Sequence, residues 1–559
     1  MKMDSLSPFT GKLGKRLAKH LLRRASFCIS KDRIQDFSDY SVDQAIAKLL
    51  VIPEKHLTQP IHYISGNLSQ ASPWINDDPL YGPVNQDNGS GKVKRNNYLT
   101  AWWMDEARRD TSLKSKMAYF LSTNFTASIR SSESEHYFDY LSLLDFFALG
   151  NWREFCFQMT KNNVMLKYLN NDENTKTNPN ENFAREVLEL FTIGKGPQIA
   201  IGDYTNYTES DVEQAARTLT GWTYTKNRNE SRKNGLAFGN IPCGHIDTDK
   251  HDFSAKQFSK HFGFYKIEAW DTTGKSITEK ETRVEEELRS FFDMILSQEE
   301  TAKFICRKLY RYFVARTIDA LVESNIIVPL AIIFRKEYDL KETITTLLKS
   351  RHFYDADDLD STDDIIGGMI KSPLDLVLQT VTLTEFPIPD PITHGKDHYK
   401  SFYFTQLIKK IMVKSGQDIF MPLSVAGFPA YYEAPDYDKF WFNTSTIISR
   451  YNLGAVLLHS NKTKSNFYIS SFVELVVSDP LDPKILVMEI SDLLFVETIS
   501  DSRLLFFVNE VLLDNGSLDA SMWADEWMLY KNTGKRNDVE AALEPLFLAL
   551  LWSQEFQIQ

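Results

Sequence analysis

The stretch TNPNENFAREVLELFTIGKG, residues 177–196, predicts a capped amphipathic helix. Asn178 has the side chain of a good N-cap, Pro179 suits the first helical position, and Glu181 follows three residues after the cap. Gly194 suits the left-handed residue that ends many helices. Between these ends the apolar residues recur at helical spacing and predict one buried stripe, made of Phe183, Val187, Leu190 and Phe191.

The charged residues of this helix leave two interpretations open. Glu181, Arg185 and Glu189 are spaced by four residues, which predicts a ladder of opposite charges on an exposed face. If a loop covers that face instead, Arg185 would orient a carboxylate, and Glu186 with Glu189 would ligate a metal or act as an acid/base pair. Charge patterns favour the exposed ladder. Arg185, Glu186 and Glu189 are nevertheless the catalytic candidates of this stretch.

Helical periodicity continues along the chain. Thr208 and Asp211 form a second capping pattern before an apolar stripe, and the segment from Glu281 to Phe313 predicts two amphipathic helices. The best strand candidate is ILVMEI, residues 485–490, which suits a helix equally well. The sequence therefore predicts a mostly α, multi-helix globular protein with long irregular loops and little or no sheet.

Composition limits the classes of protein. The chain has 559 residues, 43% hydrophobic and 25% charged, with a formal net charge of -12. The negative charge argues against binding nucleic acid through bulk charge. The four cysteines are far apart, with no C-x-x-C-H haem motif. The N-terminus has no apolar signal run, and Pro545–Trp552 is too short to span a membrane. We expect a protein without a membrane span, cytoplasmic by default, with export left open.

One polar segment concentrates possible metal ligands. GHIDTDKHDFSAKQFSKHFG, residues 244–263, holds three histidines and three aspartates. Such a mixture suits zinc, manganese or iron, so a divalent metal is a possible cofactor, with His251 and Asp252 as ligand candidates. Asp252 is also a candidate acid beside a histidine base. The alternative is a surface loop in which Asp252 caps the backbone or His251 bonds to it.

The segment GFPAYYEAPDYDKFWFN, residues 427–443, is rich in aromatic side chains. Exposed, these rings would form a stacking surface for sugars or peptides. Burial is the more common state of such large side chains. Tyr431, Tyr432 and Trp441 are the ligand-binding candidates here, and Trp222 is a further one.

Motifs of a known family follow one another along almost the whole chain. They include HLLRRASF at 20–27, NWREF at 151–155, MLKYLN at 165–170, the opening stretch, KHDFSAKQF from 250 and FICRKLYRYFV at 304–314. In this order they resemble a bacterial family catalogued as domain of unknown function 1800. The resemblance implies a predominantly helical protein with no settled activity. It favours one continuous domain over the regions 1–224, 225–280 and 281–559 that the sequence pattern distinguishes.

The resemblance also implies a context. Members are often encoded beside a sulfatase-like or phosphatase-like protein, and some motifs resemble domains that accompany cytochromes. The sequence departs from the family pattern at several positions. Many relatives have W-H-N-H-F where this chain has LSTNF, so Ser122 and Asn124 replace two histidines. Phe191 replaces a third histidine, and Phe428 replaces a tryptophan. Any metal site built on those histidines is in doubt.

The function expected from the sequence is a binding or accessory role in a pathway shared with a sulfatase-like or phosphatase-like partner. No G-x-S-x-G, phosphate-loop or H-E-x-x-H motif is present. The alternative is a metal-dependent, hydrolase-like enzyme that uses His251 and Asp252 with the 181–189 helix face. A redox-associated scaffold is a third, weaker alternative.

Overall fold

The chain forms helices wherever apolar periodicity and a capping residue coincide. The computed structural model describes residues 5–51, 57, 60–64, 67–73, 89–228, 241–357, 365–394, 398–459 and 467–559. The predicted fold class is confirmed, because helices make up most of the described chain and the strands form short pairs.

The helices of the first half are α1 Gly14–Ala25, α2 Lys31–Ser38, α3 Val42–Leu49, α4 Gly89–Arg109, α5 Lys114–Asn124, α6 Ser134–Phe147, α7 Trp152–Thr160, α8 Asn163–Tyr168, α9 Glu181–Glu186, α10 Glu209–Thr218, α11 Ile277–Leu296 and α12 Glu299–Phe313. Helix α9 continues as a π-helical turn over Val187–Phe191. Short 3-10 turns span Asn171–Glu173 and Lys260–Phe262.

The helices of the second half are α13 Ala320–Val322, α14 Val328–Glu337, α15 Leu340–Lys349, α16 Pro373–Leu383, α17 Pro391–His394, α18 Pro429–Tyr432, α19 Ile447–His459, α20 Ile469–Val476, α21 Pro483–Leu494, α22 Asp501–Phe506, α23 Ala520–Thr533, α24 Asn537–Trp552 and α25 Gln554–Gln557. Further π-helical segments span Glu323–Ile327, His398–Met412 and Phe507–Leu512. Further 3-10 turns span His352–Tyr354, Val413–Ser415, Tyr437–Trp441 and Asp514–Gly516.

The strands pair as four antiparallel two-stranded ribbons within the described ranges: β1 Ile61–Ile64 with β2 Asn67–Pro73, β3 Gln198–Ala200 with β4 Asp203–Tyr204, β5 Trp222–Thr223 with β6 His245–Ile246, and β7 Lys256–Gln257 with β8 Lys266–Ile267. The strand alternative for residues 485–490 is wrong. Asp482 caps α21 and Pro483 occupies its first turn, so the local sequence starts a helix there.

Two helix predictions are confirmed, one from a capping pattern and one from apolar spacing. Thr208 and Asp211 form a capping box at the start of α10. The segment from Glu281 to Phe313 contains most of α11 and all of α12. A two-residue connection separates the two helices. Helix α11 starts with a capping box of Ser276 and Glu279.

The opening stretch forms its helix with a different start. The N-cap is Asn180, whose side chain accepts a hydrogen bond from the backbone N–H of Asn182, so the predicted cap at Asn178 is wrong. Asn174 explains the shift, because its side-chain oxygen accepts from the N–H of Asn180 at 2.9 Å and holds the preceding turn. Gly194 has φ +75°, and its N–H donates to the carbonyl of Leu188 at 2.9 Å.

One large hydrophobic core joins helices from both ends of the chain, from Leu13 in the first helices to Phe556 in α25. A smaller cluster of Phe428, Ala430 and Trp441 lies in the aromatic segment. No helix within the described ranges is both long and apolar enough to cross a membrane.

Candidate functional site

A cavity of about 280 Å³ lies where five distant parts of the chain meet. Its walls come from α5, the end of the 181–191 helix, α12, the segment 369–375 and the aromatic segment around Tyr431. The aromatic segment is fixed by Asp438, whose carboxylate accepts from Arg316 at 2.5 and 2.9 Å and from the N–H of Ile370 at 2.6 Å. The cavity therefore has a firmly held outer wall.

Two cations of the wall are neutralised by carboxylates. Lys116 on α5 donates to Asp375, and both side chains are buried. Burial lowers the pKa of Lys116, and the Asp375 carboxylate opposes that shift. Arg316 forms the two-point ion pair with Asp438. A third cation, Lys195, lies 3.5 Å from the carboxylate of Glu189.

Lys308 and Arg311 differ from these cations. The Lys308 ammonium donates to the backbone carbonyl of Leu190 at 2.6 Å and lies 4.6 Å from the ring centre of Phe304. The Arg311 guanidinium lies 4.9 Å from the ring centre of Tyr437, and its buried Nε has no hydrogen-bond partner in the described structure. Neither cation forms a salt bridge with a described residue.

The wall is electropositive in an acidic protein. Its five basic side chains face three carboxylates, although the whole chain carries a formal net charge of -12. Burial lowers the pKa of Lys308 to about 7, and the positive charge of Arg311 adds to that effect. Burial also lowers the pKa of Arg311. An anion in the cavity would relieve both effects, because it supplies the missing opposite charge.

The aromatic segment is neither fully exposed nor fully buried. Trp441 is 3% exposed, Tyr431 is half-buried, and Tyr432 is 41% exposed. All three line the cavity, with Tyr437 beside them. The Tyr431 ring packs 5.5 Å from that of Trp441 and 5.7 Å from that of Tyr312. The rings therefore form one side of the cavity, and their role in ligand binding remains a prediction.

Of the predicted ladder Glu181–Arg185–Glu189, only the ion pair between Glu181 and Arg185 forms. Arg185 bonds to Glu181 at 3.1 Å and to Glu209 of α10 at 2.7 Å. Glu189 faces Lys195 and Tyr207 instead of Arg185. The π-helical turn that starts at Val187 explains the difference, because it rotates later residues away from α-helical register. Glu189 thereby reaches the cavity wall.

Glu186 lies on the inner side of this helix and is 9% exposed, whereas the spacing predicted an outward position. Burial raises its pKa to about 7, and the neighbouring charge of Glu189 adds to that shift. Such a value suits a group that exchanges protons near neutral pH. Its catalytic role remains a prediction.

His251 and Asp252 lie in a separate network. His251 is 1% exposed; its Nδ1 lies 2.8 Å from the carbonyl oxygen of Thr220 and its Nε2 lies 3.4 Å from the Glu287 carboxylate. Lys256 donates to the same carboxylate at 2.6 Å. Asp252 accepts from Arg217 at 2.8 Å. His251 and Asp252 are not part of the cavity wall.

Among the residues that the structure describes, no group of three or more His, Cys, Asp or Glu side chains is arranged to hold a metal ion. A metal at His251 would have to displace the contacts of its ring nitrogens. The metal site therefore remains a prediction. Trp222 is buried on β5, away from the cavity wall, and its predicted ligand-binding role is likewise untested.

The resemblance singled out Ser122, Asn124, Phe191 and Phe428, and one of these four lines the cavity. Asn124 lines it, and Phe191 stacks on Phe125 with ring centres 4.3 Å apart. Ser122 and Phe428 share a small neighbouring pocket. Phe191 is therefore a core residue here, with no nitrogen to offer a ligand.

Sequence reasoning missed Lys308 and Arg311. Both lie within FICRKLYRYFV, where basic residues alternate with the apolar stripe of α12. One signal was present: neither has an acidic residue three or four positions away, whereas Lys303 follows Glu299 by four. A basic residue without a local carboxylate on an amphipathic helix is available for a ligand.

The comparisons with known proteins give one match. The model of a family described as "Protein of unknown function (DUF1800)" matches residues 20–558. No curated protein and no solved structure matches the chain.

Proposed function

The chain belongs to the DUF1800 family of proteins of unknown function, and we propose that it binds a small anionic ligand in the cavity. The observation that carries the proposal is the pair of cations, Lys308 and Arg311, without carboxylate partners on the wall. Removing cations from water without an opposite charge is costly, so proteins pair them. A bound carboxylate, phosphate or sulfate group would provide that pairing.

A third cation supports the proposal from behind the wall. Arg24 of α1 is 1% exposed, and its Nε and Nη1 have no hydrogen-bond partner in the described structure. Burial lowers its pKa to about 9, while the wall residues Asp438 and Asp375 act in the opposite direction. Arg24 thus adds positive potential to the site in a region of low dielectric constant.

The cavity volume limits the size of the ligand. At about 280 Å³ it lies just below the usual range of drug-sized sites. The half-exposed rings of Tyr432 and Tyr437 suit the apolar or sugar face of such a ligand. We therefore expect a small molecule that carries an anionic group.

Titration with sulfate tests the proposal. We expect Arg311→Met and Lys308→Met to weaken sulfate binding at least about tenfold, because charge-assisted hydrogen bonds contribute about 1.5–3 kcal/mol. Lys303→Met is the matched control: it removes one charge from α12 outside the cavity wall. Calorimetry measures the affinities, and equal affinities in all three variants would contradict the proposal.

The same titration has a pH dependence. Sulfate stays fully ionised between pH 6 and pH 8.5, whereas Lys308 gains its proton as the pH falls through about 7. The other ionisable side chains that border the site include Glu189, Lys195, Arg311 and Tyr437. We expect tighter binding at pH 6, and a weaker pH dependence in Lys308→Arg, which stays charged throughout while Glu186 still titrates near pH 7.

A second candidate function is enzymatic. Glu186, with its pKa raised to about 7, lies behind Glu189, which lines the cavity. The two carboxylates would act as a proton-exchanging pair on a bound ligand. The metal-dependent version with His251 and Asp252 would require a second site, because these residues are not part of the wall.

The accessory role remains part of the proposal. The family resemblance implies a sulfatase-like or phosphatase-like neighbour, and such enzymes release oxyanions of the kind that this cavity would accept. Co-elution of the two purified proteins, with and without sulfate, tests the association. The redox-associated alternative remains a prediction.

A further inference from the structure

We infer that Lys308 is a reactive amine that condenses with a small oxo acid, a ligand whose anionic group is held by Arg311 and whose aldehyde or ketone reaches the lysine nitrogen. The inference rests on the proposed anion site and specifies its ligand class. The two basic groups are one helical turn apart on α12 and line the same cavity.

The position of the amine supports this chemistry. Lys308 is half-buried, and its nitrogen donates to the Leu190 carbonyl at 2.6 Å. That carbonyl is available because the π-helical turn ends at Phe191, so no following turn uses it. The acceptor is neutral and holds the nitrogen at the wall without fixing a positive charge on it.

The surroundings favour the neutral amine. The ring centre of Phe304 lies 4.6 Å from the nitrogen, and the positive charge of Arg311 on the same helix lowers the pKa of Lys308 further. A lysine partly removed from water beside another cation is an arrangement that activates amines for attack on carbonyl groups. With a pKa of about 7, about half of the Lys308 side chains are neutral at pH 7, against well under 1% for an ordinary lysine.

The proposed step is balanced without a redox partner. The neutral nitrogen attacks the carbonyl carbon and forms a C–N bond. The carbon–oxygen bond then breaks, and the oxygen leaves as water with the two protons of the amine. The product is a C=N imine, which water reverses. Arg311 would hold the acid group of the ligand throughout through two parallel hydrogen bonds.

Reductive trapping tests the inference. The full-length protein is incubated at pH 7 with glyoxylate and cyanoborohydride, which reduces the imine to a stable amine, and digested peptides are analysed by mass spectrometry. We expect Lys308 to be labelled at least about tenfold more than Lys303 of the same helix, because its neutral fraction is larger. Acetaldehyde, which lacks the acid group, should label Lys308 less than glyoxylate does.

Two variants and a sulfate titration distinguish a failure of the imine inference from a failure of the proposed anion site. Lys308→Arg keeps the charge but cannot form an imine, so it should retain sulfate binding and lose the trapped product. Arg311→Met should lower both. Equal labelling of Lys308 and Lys303 in wild-type protein would overturn the inference. Sulfate binding by the same preparation would then show that the anion site itself had survived.

Discussion

At the scale of single residues, Glu186 shows how burial changes the meaning of a charge pattern. Its spacing placed it on a polar face, yet it is 9% exposed. Arg185, its neighbour in sequence, binds Glu181 and Glu209, and the charges of Arg185 and Lys195 oppose the effect of burial on Glu186 only in part. Burial and the charge of Glu189 then raise its pKa to about 7. The folded protein therefore favours the protonated form.

We predict that Glu186→Gln stabilises the protein at pH 8 by about 3 kcal/mol. The folded pKa is above the unfolded value, so wild-type stability declines as the pH rises from about 4.5 to about 7. The amide cannot ionise, so the variant lacks that decline, and at pH 4 the two proteins should be nearly equal. Urea unfolding at each pH measures the difference.

Glu181→Gln is the matched control on the same helix. Its side chain is 43% exposed and its ion pair with Arg185 is open to solvent, so we expect an effect within about 1 kcal/mol at both pH values. A Glu186→Gln variant whose stability differs from wild type by the same amount at pH 4 and pH 8 would show that Glu186 has the same pKa in the folded and unfolded protein, and would contradict the prediction.

At the scale of elements, the end of the 181–191 helix determines one side of the cavity. Gly194 has φ +75°, and a Cβ atom there would lie 2.6 Å from the Phe304 ring, which lines the cavity. The glycine therefore supplies both a left-handed conformation and room for a neighbouring helix.

We predict that Gly194→Ala destabilises the protein by about 3 kcal/mol, through backbone strain and overpacking. Gly534 provides the control because it also has φ +75° but has no atom within 4 Å of the added Cβ. Gly534→Ala should cost only the strain, about 1 kcal/mol. Chemical denaturation of both variants measures the difference. Equal costs would mean that Phe304 moves aside freely.

Helix capping and apolar spacing predicted most elements correctly, because both are local. A few residues were enough to predict the capping box of Thr208 with Asp211 and the helix end at Gly194. The π-helical turn at Val187 was not, because the same residues suit an α-helix until tertiary contacts rotate them. The start at Asn180 was also missed, since it depends on the Asn174 side chain holding the preceding turn.

At the scale of the whole molecule, the cavity depends on contacts between residues far apart in sequence. Lys116 pairs with Asp375 across 259 positions, and Arg316 pairs with Asp438 across 122. The aromatic segment was recognisable as a binding candidate from its composition alone. The cations that face this segment could not be predicted, because no local sequence pattern indicates which helix packs opposite it.

Similar contacts cross the boundaries between the three regions that the sequence distinguished. Glu287 of α11 accepts from Lys256 at 2.6 Å and lies 3.4 Å from His251, with these three side chains fully buried. Arg23 of α1 donates to the carbonyl of Leu494 at 2.8 Å. Leaving such a buried charge without its partner costs about 3–5 kcal/mol.

We therefore predict that neither fragment 1–275 nor fragment 276–559 folds alone. This division keeps α11 intact with its Ser276 cap and separates Glu287 from Lys256 and His251. Each fragment should unfold without a cooperative transition in urea, followed by circular dichroism, whereas the whole chain should show one transition. Glu287→Gln in the whole chain should lower its stability by about 3 kcal/mol, against less than about 1 kcal/mol for the exposed neighbour in Glu286→Gln. A fragment with its own sharp transition would instead identify an independent domain, and the cavity would then lie between two separately folding units.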